Sequence, residues 1–346
     1  MIPSIEWVDD NIKMKVKIID QTKLPHKLEF LEFNDFRSVA KSIKVMNIRG
    51  APAIGVAAAM GMALATIEYK ELVKDKFLIK MEEAADLLRS TRPTASNLFW
   101  AINRILKIIK DFPDNPSNIS DLVIEEAKIM AQEDINVNKN IGKNGASLLK
   151  DGDVVLTHCN AGSLATVQYG TALAPIRAAI EEGKNISVIA DETRPRLQGA
   201  RLTAYELQYD NIPVKVISDT SSGLLMMLGK VDKVIVGTDR VTSDAVFNKI
   251  GTYLVALAAM DNKIPFYVAA PTSTLSLKET IKDVIIEQRD SSEVGNILGK
   301  VKIVPNGVEC LNYAFDITPF RLVSGVITED GVFTPKELLK KYKDLH

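Results

Sequence analysis

The sequence has little of what redox or metal chemistry needs. It holds two cysteines, Cys159 and Cys310, and three histidines, His26, His158 and His346. Two thiols cannot build a disulfide framework, and so few imidazoles and thiols argue against a His/Cys zinc cluster. It has no basic excess: 43 Lys and Arg stand against 44 Asp and Glu, for a net charge of −1. Proteins that hold nucleic acid through phosphate contacts carry a surplus of cations, so no nucleic-acid partner is expected. Neither G-x-G-x-x-G nor G-x-x-x-x-G-K-[ST] occurs, so nothing points to a dinucleotide or a Walker-type nucleotide site. The G-x-S-x-G elbow is absent as well. The opening MIPSIEWVDD is acidic and has no apolar run, so a secretory signal is not expected. A reduced, cytoplasmic setting is the simplest one. Chemistry is left to carboxylates, a thiol or backbone dipoles.

The chain has 346 residues, enough for two domains or one large one, and its 46% hydrophobic and 25% charged residues are ordinary for a globular protein. One uncharged run, Gly50 to Ile67, tests for a membrane span, but it is mainly Ala and Gly with Pro52 near its start. Such residues barely favour insertion. The run is expected to be a tightly packed buried helix, with no membrane partner. Residues 1–35 partly alternate apolar and polar, as in Lys15-Val-Lys-Ile-Ile, and predict short strands in a small sheet. From Asp35 to Leu149 the apolar spacing is helical: Phe36, Val39, Ile43 and Val45, then Met81, Ala84, Ala85, Leu87 and Leu88. Ile102, Ile105, Leu106 and Ile109 follow, then the turn cluster Asp111 to Ser117, then Val123, Ala127, Met130 and Ala131. A boundary near residue 150 is predicted, with a small sheet plus helical domain over 1–150 and the catalytic domain over 151–346.

Past residue 150, short β-branched runs alternate with amphipathic stretches. The runs are Asp153–His158, Ile186–Ala190, Val214–Ile217, Val234–Val236 and Phe266–Ala269. They suit a parallel sheet covered on both faces, that is, a doubly wound α/β domain. Ligands of such sheets bind outside the carboxyl ends of the strands. The loops there place Cys159, Asp191, Glu192, Arg194, Asp219, Asp239, Arg240 and Thr272 at one sheet edge. Polar loops also follow buried strands for structural reasons alone. Two readings of Cys159 stay open: a packed small hydrophobe, or a thiol acidified at the start of a helix through Asn160-Ala-Gly-Ser. His158 should point to the other face of its strand in a structural role. Cys310, in Gly307-Val-Glu-Cys-Leu, reads as a core residue of a strand-like run. Arg49-Gly-Ala-Pro and Arg92-Pro-Thr put an Arg beside a Pro-bearing helix start, suited to a phosphate or simply to a surface turn.

At these residues the chain resembles the methylthioribose-1-phosphate isomerases, which belong with the ribose-1,5-bisphosphate isomerases and the regulatory subunits of translation initiation factor 2B. The resemblance rests on Ile19-Asp-Gln-Thr-Lys-Leu-Pro, Ile48-Arg-Gly-Ala-Pro-Ala-Ile-Gly, Arg92-Pro-Thr-Ala, Thr157-His-Cys-Asn-Ala-Gly and Asp191-Glu-Thr-Arg-Pro-Arg-Leu-Gln-Gly-Ala-Arg-Leu-Thr. It continues through Gly237-Thr-Asp-Arg, Asn248-Lys-Ile-Gly-Thr-Tyr and Ala314-Phe-Asp-Ile-Thr-Pro. It implies an N-terminal helical domain, a C-terminal Rossmann-like domain and a homodimer. It implies isomerisation of 5-methylthioribose 1-phosphate, an aldose, into the ketose 1-phosphate in methionine salvage. The catalytic thiol then corresponds to Cys159 and the catalytic acid to Asp239. The substrate contacts fall on Arg49, Gly50, Ala51, Arg92, Gln198, Asn248 and Lys249. Neither a metal nor an organic cofactor is implied.

The reaction suits these residue types. The anomeric oxygen is esterified, so an acid must protonate the ring oxygen. Asp239 would have to start protonated, which burial in an apolar site would favour. A Cys159 thiolate can take the C2 proton through an enolate-like intermediate; a direct hydride shift is the rival route. The chain departs from the family in places. Thr238 stands where Ala is usual, Val241 to Phe247 replaces a longer loop with Asn-Gly, Tyr313 replaces Pro, and Ser276 replaces an acidic residue. The alternatives are another 5-substituted ribose 1-phosphate, such as ribose 1,5-bisphosphate, and a translation-factor-like regulatory subunit.

Overall fold

The computed structural model describes residues 1–10, 13–93, 95–112 and 116–343. Thr94 of the Arg92-Pro-Thr motif, the middle of the Asp111–Ser117 cluster, and His346 lie outside the described residues. Two compact units make up the chain: Met1–Val137 with Ser163–Gly170, and Asn138–Gly162 with Thr171–His346.

The first unit opens with three antiparallel strands, β1 (Ile5–Asp9), β2 (Met14–Ile19) and β3 (Phe30–Phe33), in which Trp7 faces Val16 and Val16 faces Phe33. Helices follow: α1 (Phe36–Lys44), α2 (Ala51–Tyr69), α3 (Lys74–Arg89), α4 (Ser96–Asp111) and α5 (Ile119–Ala146). Asp35 caps α1 by accepting the Ser38 amide at 2.9 Å. The uncharged run is α2, the axis of the unit, packed by α1, α3 and α4. Every residue from Ala53 to Thr66 is buried, as expected of a helix that is apolar all round. By length and hydropathy α2 is able to cross a membrane, yet its surface is already covered by protein. Its small residues let neighbours approach: a Cβ on Gly55 would sit 3.0 Å from the Asn97 carbonyl oxygen.

The division between the units falls inside α5 rather than at residue 150, and Ser163–Gly170 returns to the first unit. The last turns of α5 pack on the sheet of the second unit: a Cβ on Gly145 would meet Pro175 at 2.4 Å and Ile327 at 3.2 Å.

The second unit alternates strand and helix. Its elements are β4 (Val154–Thr157), α6 (Ala174–Glu181), β5 (Ser187–Asp191), α7 (Ala204–Tyr209), β6 (Val214–Ile217), α8 (Ser222–Met227) and β7 (Lys233–Val236). Next come β8 (Arg240–Val241), β9 (Ala245–Lys249), α9 (Thr252–Asp261), β10 (Phe266–Ala269), α10 (Ser292–Gly295), β11 (Asn296–Ile297) and β12 (Val301–Lys302). Last are β13 (Phe315–Pro319), β14 (Gly325–Thr328), β15 (Gly331–Phe333) and α11 (Pro335–Lys341). The main sheet has seven strands in the order β15-β14-β10-β7-β4-β5-β6. All neighbours pair parallel except β14 with β15. Val155, Leu156, Val188, Val234, Ile235, Val236 and Val268 are shut in on both faces, which explains why these strands read as apolar runs. From β4 the chain steps to β5 and β6 on one side, then returns to β7 on the other. That reversal opens a crevice at the carboxyl ends of β4 and β7. A small antiparallel sheet, β13-β9-β8, stands beyond the β7 end. Cys310 lies in irregular chain, half-buried, and not in a strand.

Candidate active site

Cys159 follows β4 on the crevice. It forms no disulfide and is half-buried, and its backbone is left-handed with φ +67°. Hydroxyls hold that strained conformation from both sides: the Cys159 amide donates to Thr193 Oγ1 at 2.9 Å, and Thr203 Oγ1 donates to the Cys159 carbonyl at 2.7 Å. Thr193 is itself left-handed with φ +63°. Non-glycine residues in this region persist where surrounding contacts fix them, commonly at functional sites. No α-helix begins at Cys159. Ser163–Ala165 forms a single 3-10 turn, and α6 starts at Ala174. The expected helix start is replaced by a loop resting on a buried carboxylate. Asn160 Nδ2 donates to Glu206 Oε1 at 2.6 Å, and Arg177 Nη2 donates to Glu206 Oε2 at 2.7 Å. A Cβ on Gly162 would collide with Glu206 at 2.1 Å.

His158 turns away from that loop, as the strand alternation predicts. Its ring is buried, with Nδ1 2.9 Å from Asp191 Oδ2 and Nε2 2.8 Å from the Ile250 carbonyl. Asp191 Oδ1 accepts from Ser222 Oγ at 2.6 Å. Burial alone would push the imidazole down; the Asp191 carboxylate and the Ile250 carbonyl outweigh it, so the ring is raised above its usual range. Asp219 accepts the amides of Thr193 at 2.6 Å and Arg194 at 2.7 Å, one on each oxygen. Among the described residues, His158, Asp191 and Asp219 bring possible ligand atoms within 4.8 Å of one another. Their donors and acceptors are engaged with the protein, so the arrangement is a hydrogen-bond network and not a prepared metal centre. Gln198 is buried, and its Oε1 has no hydrogen-bond partner. The next residue touches β5: a Cβ on Gly199 would lie 1.7 Å from the Asp191 carbonyl oxygen.

Asp239 follows β7, the other wall of the crevice. The two loops touch, since a Cβ on Gly237 would meet the Ala161 Cβ at 2.4 Å. The Asp239 amide donates to the Phe247 carbonyl at 2.9 Å. Its side chain is exposed, against the expectation of an apolar burial. It sits on the open turn between β7 and β8, where the sheet edge faces water. The Thr238 hydroxyl is engaged within that turn, 2.8 Å from the Arg240 carbonyl and 2.9 Å from that of Phe247. This departure from Ala therefore braces the turn. Asn248 is buried and donates to Thr252 Oγ1 at 3.0 Å. Lys249 is half-buried, donates to the Ala314 carbonyl at 2.9 Å and lies 4.6 Å over the Phe315 ring. Asp316 was not singled out from the sequence. It accepts the Gly251 amide at 2.7 Å and the Tyr253 amide at 3.1 Å, capping α9, and burial pushes it up to about 6.

Other members of the polar set hold loops together. Arg194 donates to the carbonyls of Pro195 and Val294, Arg240 pairs with Glu279, and Thr272 binds Glu329. In the first unit, Arg49 is half-buried and precedes α2. Gly50 has φ +96°, and a Cβ there would lie 2.2 Å from the Ala165 carbonyl oxygen. No side chain caps α2 at Ala51, and its first turn holds no acidic residue, so its first amides are open to an anion. Arg92 is half-buried in the loop before α4, four residues short of the helix start at Ser96.

The model of the Initiation factor 2 subunit family matches residues 47–335. The chain belongs to this family. Within it, a Thermosipho africanus protein named methylthioribose-1-phosphate isomerase is 53% identical over 342 residues, 98% of this chain and 97% of that protein. The crystal structure of 5-methylthioribose 1-phosphate isomerase from Pyrococcus horikoshii superposes with a TM-score of 0.92 at 40% identity, covering 100% of this chain and 97% of that one. A structure from A. fulgidus described as translation initiation factor eIF-2B, subunit delta, has a TM-score of 0.90 at 48% identity and covers 99% of this chain and 100% of that one. The family likeness agrees with the fold expected from the sequence: helices before a mainly parallel sheet.

Proposed function

We propose that this chain is an aldose–ketose isomerase that converts 5-methylthioribose 1-phosphate into 5-methylthioribulose 1-phosphate in methionine salvage. One observation carries the reading. In a chain about half identical to named isomerases over nearly its whole length, a thiol and a carboxylic acid follow the two strands that flank the reversal of the sheet. Asp239 protonates the ring oxygen and opens the ring. Cys159, as the thiolate, removes the C2 proton, and the enolate-like intermediate is reprotonated at C1. The exposure of Asp239 adds a condition: the substrate must displace water from this carboxyl before it can act as an acid. Gln198, Asn248 and Lys249 serve as contacts to sugar oxygens. Arg49, with the open amides of Gly50 and Ala51, and Arg92 serve as phosphate and oxygen anchors. No metal or organic cofactor enters this reading. The working form is taken to be a cytoplasmic homodimer, which sedimentation of the purified protein tests.

A coupled assay on 5-methylthioribose 1-phosphate tests the activity. Cys159→Ala and Asp239→Asn should fold and lose turnover on the order of a thousandfold; near-wild-type turnover in both removes the assignment. Ribose 1,5-bisphosphate in the same assay separates the two sugar classes. Deuterium from solvent at C1 of the product marks proton transfer. The A. fulgidus likeness favours a second reading, a translation-factor subunit. Capture of initiation factor 2 without isomerase activity on either sugar would establish it.

A further inference from the structure

The first wall of the crevice holds a buried imidazole–carboxyl pair, His158 and Asp191, that the proposed reaction does not use. A backbone carbonyl can only accept, so the contact of His158 Nε2 with the Ile250 carbonyl fixes a proton on Nε2. Asp191 Oδ1 takes the Ser222 hydroxyl, which leaves Oδ2 to face Nδ1 at 2.9 Å. The Ser222 hydroxyl on Oδ1 favours the ionised carboxylate, which puts the proton shared by the pair on Nδ1. A buried ion pair is tolerated when its hydrogen-bonding groups are satisfied, and here both ring nitrogens and both carboxylate oxygens have partners. The ring also fills space under the turn before α9. A Cβ on Gly251, at φ +106°, would lie 2.7 Å from His158 Cε1.

We propose that His158 is a positioning residue, a buried imidazolium that locks the Cys159 turn at the end of β4 to Asp191 on β5 and to the Asn248–Gly251 turn. This rests on the reading of Cys159 as the reacting thiol. The ring is one residue from Cys159 and, through Ile250, one residue from Lys249. It therefore sets the spacing between the thiol and two of the proposed substrate contacts. A shift of about 1 Å in such spacing costs on the order of a hundredfold in rate.

The test begins with nitrogen-15 spectra of the imidazoles in the full chain across a pH series. Three histidines make assignment direct. The charged groups facing the ring are Asp191, Asp219 and Asp316. His158 should show both nitrogens protonated at neutral pH and should keep them to higher pH than an ordinary imidazole does. A ring protonated at Nε2 alone at neutral pH overturns the charged pair. Asp191→Asn should then neutralise the ring and lower kcat on the order of a hundredfold with KM little changed. If that variant does not fold, Ser222→Ala removes one hydrogen bond and should lower kcat several-fold in the same pattern. Unchanged kcat in whichever of these folds overturns the positioning role. Full turnover by Cys159→Ala would instead overturn the catalytic reading, while the His158 spectrum still decides the pair.

Discussion

The residue with the largest consequence for pH is Asp316. Burial raises its carboxyl from 3.8 to about 6, although the amides of Tyr253 and Gly251, the His158 charge and Lys249 all pull it down. A folded-state pKa above the unfolded one means that the native state holds the proton more tightly. The stabilisation is therefore complete below about pH 4 and is lost as pH rises through about 6. Asp316→Asn has no such dependence. Relative to the variant, the wild-type protein should lose about 2 kcal/mol between these limits; urea midpoints measured in parallel for both proteins check this, and parallel curves refute it. The sequence placed Cys159 and Asp239 in the loops after β4 and β7 because each follows an apolar run within three residues; the roles given to them rest on the family resemblance. Thr193 and Thr203, which hold Cys159, Ser222, which holds Asp191, and Asp316, which caps α9, were not legible. Thr193, Thr203 and Asp316 lie 34, 44 and 65 residues from the groups they hold, and spacing carries no signal over such lengths.

At the scale of the element, α2 makes a prediction with opposite signs at two glycines. Alanine is favoured over glycine inside a helix by about 1 kcal/mol. At Gly61 an added Cβ meets side-chain methyls of Leu88 and Val39 at 3.4 Å, and these can give slightly. Gly61→Ala should stabilise by about 0.5 kcal/mol. At Gly55 the obstacle is the Asn97 backbone oxygen at 3.0 Å, which moves only with α4. Gly55→Ala should destabilise by about 1–2 kcal/mol despite the same propensity gain. Thermal unfolding of the two variants decides it, and two shifts of the same sign would contradict the packing account. The helices were readable because one face of each repeats every three to four residues, and α2 because Ala51 to Ile67 carries no charge. The sheet of β8, β9 and β13 was not, since β8 is two residues long, β9 (Ala-Val-Phe-Asn-Lys) shows no alternation and β13 ends on Pro319. The expected helix after Cys159 fails because Asn160 is drawn down to Glu206 instead of capping a helix.

For the whole molecule, the change of pattern near residue 150 marks where strand and helix begin to alternate, while contacts divide the chain into two units inside α5. Residues Ser163–Gly170 complete the first unit. The Val167 carbonyl accepts the Ser4 amide at 2.9 Å, the Leu164 carbonyl accepts Gln21 Nε2 at 2.7 Å, and the Val167 amide donates to Asp134 Oδ2 at 2.7 Å. A fragment ending at Val137 loses all three, along with the buried Val167 side chain. It should be less stable than the same fragment carrying residues 163–170 on a short linker, by on the order of 2–4 kcal/mol in urea. Equal stability would mean that the segment is dispensable. The chain passes between its units at 137–138, 162–163 and 170–171. In genetic terms, neither half is a cassette. No single crossover in the gene can exchange one unit whole and leave the other unmixed, which ties the helical half and the sheet half together in inheritance.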